Sequence, residues 1–357
     1  MKNVLVLGGT GAMGVHLVHL LGNSGRIKCV VTTRKFHQNY NNVEYIQGNA
    51  QNEAFLYPLL KSCHWDAIVD FMAYTTETFA KRMPLLLENT DQLVFLSSAR
   101  VYASSETPIT ENSPRLLDVC KDSEYLATDE YALAKARQED LLQGSGRKNW
   151  TIIRPYITFS TYRLQLSSLE KEYWLYRALH KKSIVFCKEL AQKRTTLTYG
   201  EDVARGIMAI LCEPKALGEA FHITNSRSYL WNELLEVYLS AIQERCGYRP
   251  KVFFTDKWQE FYGGGKWQVK FDRLYDRVFD NSKINQFIDT KSFRDTKKEL
   301  SHCIKSFIDK QSFLFTNWES EAKKDILTNE WTQLSTIPTL KQKLKYLLIR
   351  LQLYKKQ

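Results

Sequence analysis

The sequence predicts an α/β protein, a doubly wound parallel sheet with a smaller C-terminal domain. Three observations lead there. Short apolar runs alternate with helix-like stretches up to about residue 158, the rhythm of strands joined by crossover helices. The runs are apolar throughout, as strands covered on both faces are. Beyond Phe159 aromatic and charged residues mix and the alternation weakens.

Residues 2–7, Lys-Asn-Val-Leu-Val-Leu, end in glycines and read as a buried strand. Val15, Leu17, Val18, Leu20 and Leu21 follow at helical spacing. Cys29-Val30-Val31, Ala67-Ile68-Val69 and Leu93-Val94-Phe95-Leu96 are the next strands. Trp150 to Ile153, closed by Arg154-Pro155, is the fifth. Helix-like stretches Phe55–Lys61, Phe79–Leu87 and Glu130–Leu142 lie between them. Glu201–Leu211 and Leu230–Ile242 read as later helices, and Ala220–Ile223 as a strand. The expected first domain is 1–158 with returning segments near 195–225. The second is 159–194 with 226–335, and residues 336–357 form a basic amphipathic helix.

At 357 residues the chain is long enough for one large or two medium domains. Its seven cysteines are scattered and include no Cys-x-x-Cys pair, which argues against a disulfide framework and a zinc site. The histidines show no metal-ligand spacing, so no metal is expected. No stretch approaches the ~20 apolar residues of a membrane span. The first strand begins too early to leave room for a signal peptide, so a cytoplasmic location is expected. The net charge is +11, which suits an anionic partner. Six of those charges (Lys341, Lys343, Lys345, Arg350, Lys355 and Lys356) fall between residues 338 and 357, which hold no acid.

Gly8-Gly9-Thr10-Gly11-Ala12-Met13-Gly14 lies between the first strand and the first helix. Gly8, Gly11 and Gly14 allow a tight turn, close approach of a pyrophosphate and helix-on-strand packing. A helix N-terminus there presents N–H groups and a positive dipole end to phosphates. An ordinary glycine-rich turn is the bland alternative, but the strand-loop-helix placement points to a dinucleotide. The second strand ends Val31-Thr32-Thr33-Arg34, with no acid to accept from the ribose hydroxyls of NAD. Arg34 instead offers a guanidinium to a 2′-phosphate, which favours NADP(H), with NAD(H) the alternative.

Tyr131-Ala132-Leu133-Ala134-Lys135 places a phenol and an ammonium one helical turn apart on one face. A neighbouring cation lowers a phenol's pKa, so Tyr131 can exchange a proton with a substrate oxygen. A Tyr-x-x-x-Lys alone is common by chance. Its partner is Ser98, beyond the strand Leu93–Leu96, at the strand end where ligands bind in such sheets.

These segments together resemble an extended short-chain dehydrogenase/reductase of the NAD-dependent epimerase/dehydratase type, whose members act on nucleotide sugars. The resemblance is carried by Gly8–Gly14, Trp65–Asp70, Phe95–Tyr102, Tyr131–Lys135, Ile153-Arg154-Pro155, Tyr199–Ala204 and Gly218–Ile223, over roughly residues 1–230. It implies a Rossmann dinucleotide-binding domain. Tyr131 would be proton donor and acceptor, Lys135 would hold the nicotinamide ribose, and Ser98 would orient the substrate carbonyl. Thr10, Ala12 and Met13 complete the phosphate loop, and Thr33, Asn49 and Ala50 stand near the adenosine. Phe71, Met72 and Ala73 would line the pyrophosphate side, with Pro155 and Ile157 bordering the nicotinamide. Tyr74, Ala99, Arg163 and Arg277 are the substrate-side candidates, and Arg177, Lys181, Lys182, Arg194 and Arg273 are, with Arg163 and Arg277, candidates for holding a substrate diphosphate.

Family dehydratases carry an Asp-Glu pair after the small hydroxyl residue. Ala99-Arg100 stands there instead, which argues against 4,6-dehydration. The short Phe71–Leu93 segment is similar to an atypical branch that includes chloroplast stem-loop-binding proteins. The expected function is an NADP(H)-dependent reductase of a nucleotide-linked keto-sugar, with epimerisation as the alternative. An RNA-binding module on the same frame is the distant third, and the retained Ser98, Tyr131 and Lys135 argue against nucleic acid. The resemblance implies a homodimer. In the tail, Leu340, Leu344, Leu347, Leu348 and Leu351 share one helix face. That face suits either peripheral contact with an anionic membrane or packing on protein.

Overall fold

Strand β1 (Lys2–Leu7) shows why the sheet forms where it does: Val4 and Val6 pack on one face, Leu5 and Leu7 on the other, all with no exposed surface. The computed structural model describes residues 1–256 and 265–351. The other main elements of the first half are helix α1 (Gly14–Asn23), β2 (Ile27–Thr33), β3 (Val43–Gln47), α2 (Glu53–Lys61), β4 (Ala67–Asp70), α3 (Thr76–Glu88), β5 (Leu93–Leu96), α4 (Tyr131–Gln143) and β6 (Trp150–Pro155). Beyond them come α5 (Lys171–Leu179), β7 (Ile184–Cys187), α6 (Gly200–Ile210), β8 (Glu219–Ile223), α7 (Trp231–Cys246), β9 (Val252–Thr255), α8 (Thr296–Asp309), α9 (Trp318–Thr328) and α10 (Leu340–Arg350).

Seven strands form one parallel sheet in the order β8-β6-β5-β4-β1-β2-β3. The order reverses direction between β1 and β4, the switch point at which a doubly wound sheet opens a crevice beyond its carboxyl ends. Alternate side chains feed two cores. Val4, Val6, Val69 and Val94 meet Leu17, Leu21, Val203 and Ile207 of α1 and α6. Leu5, Leu7, Ile68 and Phe95 meet Leu56, Phe79, Leu86 and Leu142 of α2, α3 and α4. Full burial of each such side chain stabilises by roughly 1.5–3 kcal/mol.

The chain divides into two units: residues 1–158, 196–228 and 277–296, and residues 159–195, 229–276 and 297–357. Two features differ from the sequence reading. Residues 277–296, expected in the second domain, belong to the first unit. There Ile109 and Asp280 exchange backbone hydrogen bonds with their neighbours across the bridge Ile109–Phe279. The edge strand β3 is additional; Val-Glu-Tyr-Ile-Gln is only half-buried and carries no continuous apolar run.

In the second unit β7 and β9 pair in parallel, and α10 packs on α9 through Tyr346 and Ile349. The tail's leucine face does not make that contact. Leu340, Leu344, Leu348 and Leu351 point to solvent and only Leu347 joins the cluster. Lys355 and Lys356 lie outside the described residues.

Candidate active site

The glycines of the loop after β1 have separate steric reasons. Gly8 has φ +74°, and a Cβ on it would stand 2.8 Å from the Met72 sulfur. A Cβ on Gly14 would fall 2.7 Å from the Gly9 backbone, so this pair closes the turn. Gly9, not singled out from the sequence, holds the helix-strand contact: its Cβ would meet Val31 and Val6 of the strands within 3 Å and Val18 of α1 at 3.1 Å. Gly11 has open space, which leaves its backbone free for close approach by a ligand. The N-cap of α1, Met13, makes no side-chain capping bond, and the first turn carries no acid. The Val15 N–H donates to the Gly11 carbonyl at 3.1 Å, so an anion there would rely on the other loop and first-turn N–H groups, which no side chain caps. Gly200 is a further missed position. A Cβ there would strike the Ala12 carbonyl at 2.4 Å, so α6 starts directly against the loop.

A cleft of about 300 Å³ opens at the carboxyl ends of β1, β2 and β4. Gly8, Thr10, Thr33, Arg34, Asn49, Ala50, Phe71, Met72 and Ala73, all expected at a cofactor, line it together with Thr32, Gly48 and Gln51. Thr32 accepts the Gly8 N–H, and Thr33 caps the turn into Arg34 and Lys35. On the far side of the loop, the Thr158 hydroxyl reaches the Met13 sulfur at 3.6 Å. This ties the segment after Pro155 and Ile157 to the phosphate loop.

The two serines after β5 have different surroundings. Ser97 is fully buried and donates to Glu139 at 2.5 Å. Glu139 also receives the Arg154 guanidinium through two bonds of 2.8 Å. Ser98 ends the strand and accepts the Arg100 N–H, starting the 3-10 turn Ala99–Val101. Lys135 on α4 lies over the Phe95 ring at 4.5 Å, and the Arg100 guanidinium lies over the Tyr131 ring at 5.3 Å. Both residues of the Tyr-x-x-x-Lys thus meet the end of β5 through Phe95 and Arg100, which flank Ser98 in sequence. Glu130 fixes the start of α4. It accepts from Ala132 N–H at 2.8 Å, Tyr125 hydroxyl at 3.1 Å and Arg100 at 2.5 Å. Tyr131 is 43% exposed, whereas Lys135 is buried. Burial lowers the Lys135 ammonium to about 8, against the opposing pull of Asp70 and Glu139.

Asp70 is the functional group the sequence reading passed over. It ends β4 fully buried, accepts from Met72 N–H and the Tyr74 hydroxyl with one oxygen, and leaves the other without a partner. Burial raises its pKa, opposed by the Met72 N–H and by the Arg82 and Lys135 charges. A lone acid closing an otherwise apolar Ala-Ile-Val-Asp strand was the available signal.

The substrate-side candidates fare differently. Tyr74 turns its hydroxyl inward to Asp70. Ala99 is fully buried in the 3-10 turn, so it presents no side chain to a ligand. Arg277 is fully buried and donates to the carbonyls of Tyr102 and Ala103, holding the chain after β5. Arg177 and Lys182 are committed to buried carboxylates, and Arg273 is buried beside Asp272. Arg163, Lys181 and Arg194 are exposed. Among the described residues no cluster of His, Cys, Asp or Glu is built to hold a metal ion, and no helix is long and apolar enough to cross a membrane.

Comparison with solved structures gives the same frame. WbmH of Bordetella bronchiseptica, solved with NAD+, superposes with a TM-score of 0.65 at 17% identity, covering 87% of this chain and 99% of that one. The dTDP-glucose 4,6-dehydratase of Bacillus anthracis, with NAD, gives 0.65 at 18%, covering 87% and 97%. The UDP-glucuronic acid 4-epimerase of Bacillus cereus, with NAD, gives 0.64 at 14%, covering 87% and 97%. At such identities the likeness is one of fold. No curated protein sequence matches the chain. The family model of NAD-dependent epimerases and dehydratases matches residues 4–224, a span that holds the glycine loop, the cleft, Ser98 and the Tyr-x-x-x-Lys. The chain therefore belongs to the NAD-dependent epimerase/dehydratase family.

Proposed function

We propose that the chain is an NADP(H)-dependent oxidoreductase of a nucleotide-linked keto-sugar, acting as a ketoreductase. The observation that carries the cofactor choice is the cleft wall formed by Thr33 and Arg34. Residues 31–39 after the middle of β2 include Arg34, Lys35 and no acid. An acid there would pair with the ribose hydroxyls of NAD and repel a 2′-phosphate, whereas a guanidinium pairs with the phosphate.

The bound nicotinamide supplies or takes the hydride. The chain's own residues manage the oxygen and its proton. Ser98 orients the substrate carbonyl by donating a hydrogen bond. Tyr131 gives its phenolic proton to that oxygen as negative charge develops on it, and takes the proton back in the reverse direction. The Arg100 guanidinium lies over the Tyr131 ring, and Lys135 would hold the cofactor ribose. Ala99-Arg100 in place of an acidic pair leaves no acid and base at those two positions to eliminate water, so dehydration is not proposed.

Epimerisation is the second reading, favoured by the resemblance in fold to the Bacillus cereus 4-epimerase. It uses the same groups, with hydride removed from one face of the sugar carbon and returned to the other. Incubation with NADPH and 4-keto nucleotide sugars separates the two. Stoichiometric loss of NADPH absorbance supports the reductase. Conversion of a nucleotide sugar to its epimer with no net loss replaces it by the epimerase. Absence of both, together with no binding of either dinucleotide, removes the proposal.

A further inference from the structure

We propose that the outward face of α10 is a docking surface for an anionic lipid bilayer. Leu340, Leu344 and Leu348, with Leu351 just past the helix, are 72%, 53%, 41% and 51% exposed. At 3.6 residues per turn these four fall within about 80° of arc. Tyr346 and Ile349, which attach the helix to α9, fall on the opposite side and are buried. The leucine stripe is therefore not a core face seen in isolation. A different face makes the protein contact, and the stripe is left facing water.

The helix is presented ready-made. Thr339 and Gln342 form a reciprocal cap at its start. Tyr346 donates to Asp325 at 2.8 Å and receives the Thr332 N–H at 2.8 Å, latching the helix to the unit beneath it. No ordering cost remains for a bilayer to offset. Exposed aromatic rings stand near the two ends of the basic set. Phe315 shares a cleft with Lys341, Gln342 and Lys345, and Trp331 lies under the Arg350 guanidinium at 4.3 Å. Leucines flanked by lysines, arginine and interfacial aromatics are the pattern of a helix lying in the headgroup layer.

Charge selects the occupant. Residues 340–351 contain Lys341, Lys343, Lys345 and Arg350 and no acid. Lys345 pairs with Glu319, while Lys341 and Lys343 have no ion-pair partner among the described residues. Anionic headgroups supply the missing charges. A second copy docking stripe to stripe would bring the same lysines together with no acid on the stripe to answer them. A stable protein interface also takes about 20–30 residues a side, against the handful offered here.

The test uses the full chain with vesicles of phosphatidylcholine alone or mixed with phosphatidylglycerol, read by co-sedimentation. The wild type is expected to sediment with the mixed vesicles and to be released by salt. Leu344→Asp with Leu348→Asp should abolish sedimentation. Lys341→Glu with Lys343→Glu should abolish the preference for the mixed vesicles while leaving the fold intact. Circular dichroism and the thermal midpoint of the leucine variant should match the wild type, since both side chains are exposed and lie off the packed face. The proposal is overturned if the wild type stays in the supernatant, or if the leucine variant sediments equally. It is also overturned if light scattering without lipid shows a wild-type dimer that the leucine variant dissolves, which would give the stripe to a second copy.

Discussion

Two sets of buried charged side chains, the cluster around Arg177 in the second unit and Asp70 with Lys135 in the first, are built differently. In the second unit Arg177 donates to Glu321, Asp325 and Glu330, each at 2.8 Å, and to the Ser183 carbonyl at 2.7 Å. Lys182 joins Asp325 and Thr332, and Lys324 joins Glu321 and the Tyr173 carbonyl. Among the described residues, no buried carboxylate or cationic atom of this cluster is left without a partner. In the first unit Asp70 keeps one buried oxygen unpartnered, and Lys135 makes no hydrogen bond among the described residues. A buried charge costs several kcal/mol unless it is paired. The saturated cluster answers that cost internally and acts as a structural latch. The unsaturated pair, beside the cleft, keeps its capacity for something that arrives.

The sharpest way to break this contrast is to remove one group from the helix that carries Lys135 and one from the Arg177 cluster. Tyr131→Phe is expected to lower turnover by about 10²- to 10⁴-fold, the range for a lost general acid-base group. Cofactor binding, followed by quenching of protein fluorescence, should persist. Arg177→Ala takes from Glu321, Asp325 and Glu330 the cation they share, which Lys182 and Lys324 replace only in part, and should destabilise the protein by about 3–5 kcal/mol. Thermal denaturation reads that loss, and dinucleotide affinity of the protein that remains folded should be unchanged. If Arg177→Ala weakens dinucleotide binding while Tyr131→Phe leaves turnover intact, the roles given to the two sets are wrong.

The glycine loop, Ser98 and the Tyr131–Lys135 pair can be singled out in the sequence because each pattern rests on local geometry: a turn needing glycine, a strand end, a single helical turn. Patterns failed where the deciding contact is distant in sequence. Arg277 reads as a surface cation until the fold brings it to Tyr102 and Ala103, more than 170 residues away. Arg177 and Lys182 look available for a diphosphate until α9 delivers Glu321 and Asp325. Strand β3 escaped because an edge strand is covered on fewer sides and needs no apolar run. Four of the tail's five leucines share an exposed face while Leu347 joins the contact with α9, because periodicity alone does not say which part of a stripe faces protein and which faces water.

The cleft itself offers a smaller effect. Arg34→Ala should weaken NADPH binding about ten- to hundredfold, as for loss of one hydrogen-bonded charge, and leave NADH binding unchanged. Titrating both dinucleotides against wild type and variant measures it. An equal loss for both would mean that Arg34 shapes the cleft without reading a 2′-phosphate.

The smallest expected effect belongs to Lys135, and its sign follows from linkage. Burial lowers its folded-state pKa to about 8, below the unfolded value near 10.4. Between those values the unfolded chain binds more protons, so this residue's contribution makes stability rise with pH. Below pH 8 both states are protonated and the cost of burying the ammonium is present in full. From pH 7 to pH 9 the gain is about 1 kcal/mol. Lys135→Met removes the titrating group, so the variant should lack that rise and should be more stable than wild type at pH 7. Urea denaturation at the two pH values checks it by difference, which cancels the other titrating groups common to both proteins. A Lys135→Met variant less stable than wild type at pH 7 would mean that Asp70 already satisfies the ammonium. The first unit's pair would then resemble the saturated cluster of the second, and the distinction between a latch and a waiting site would fail at its most sensitive point.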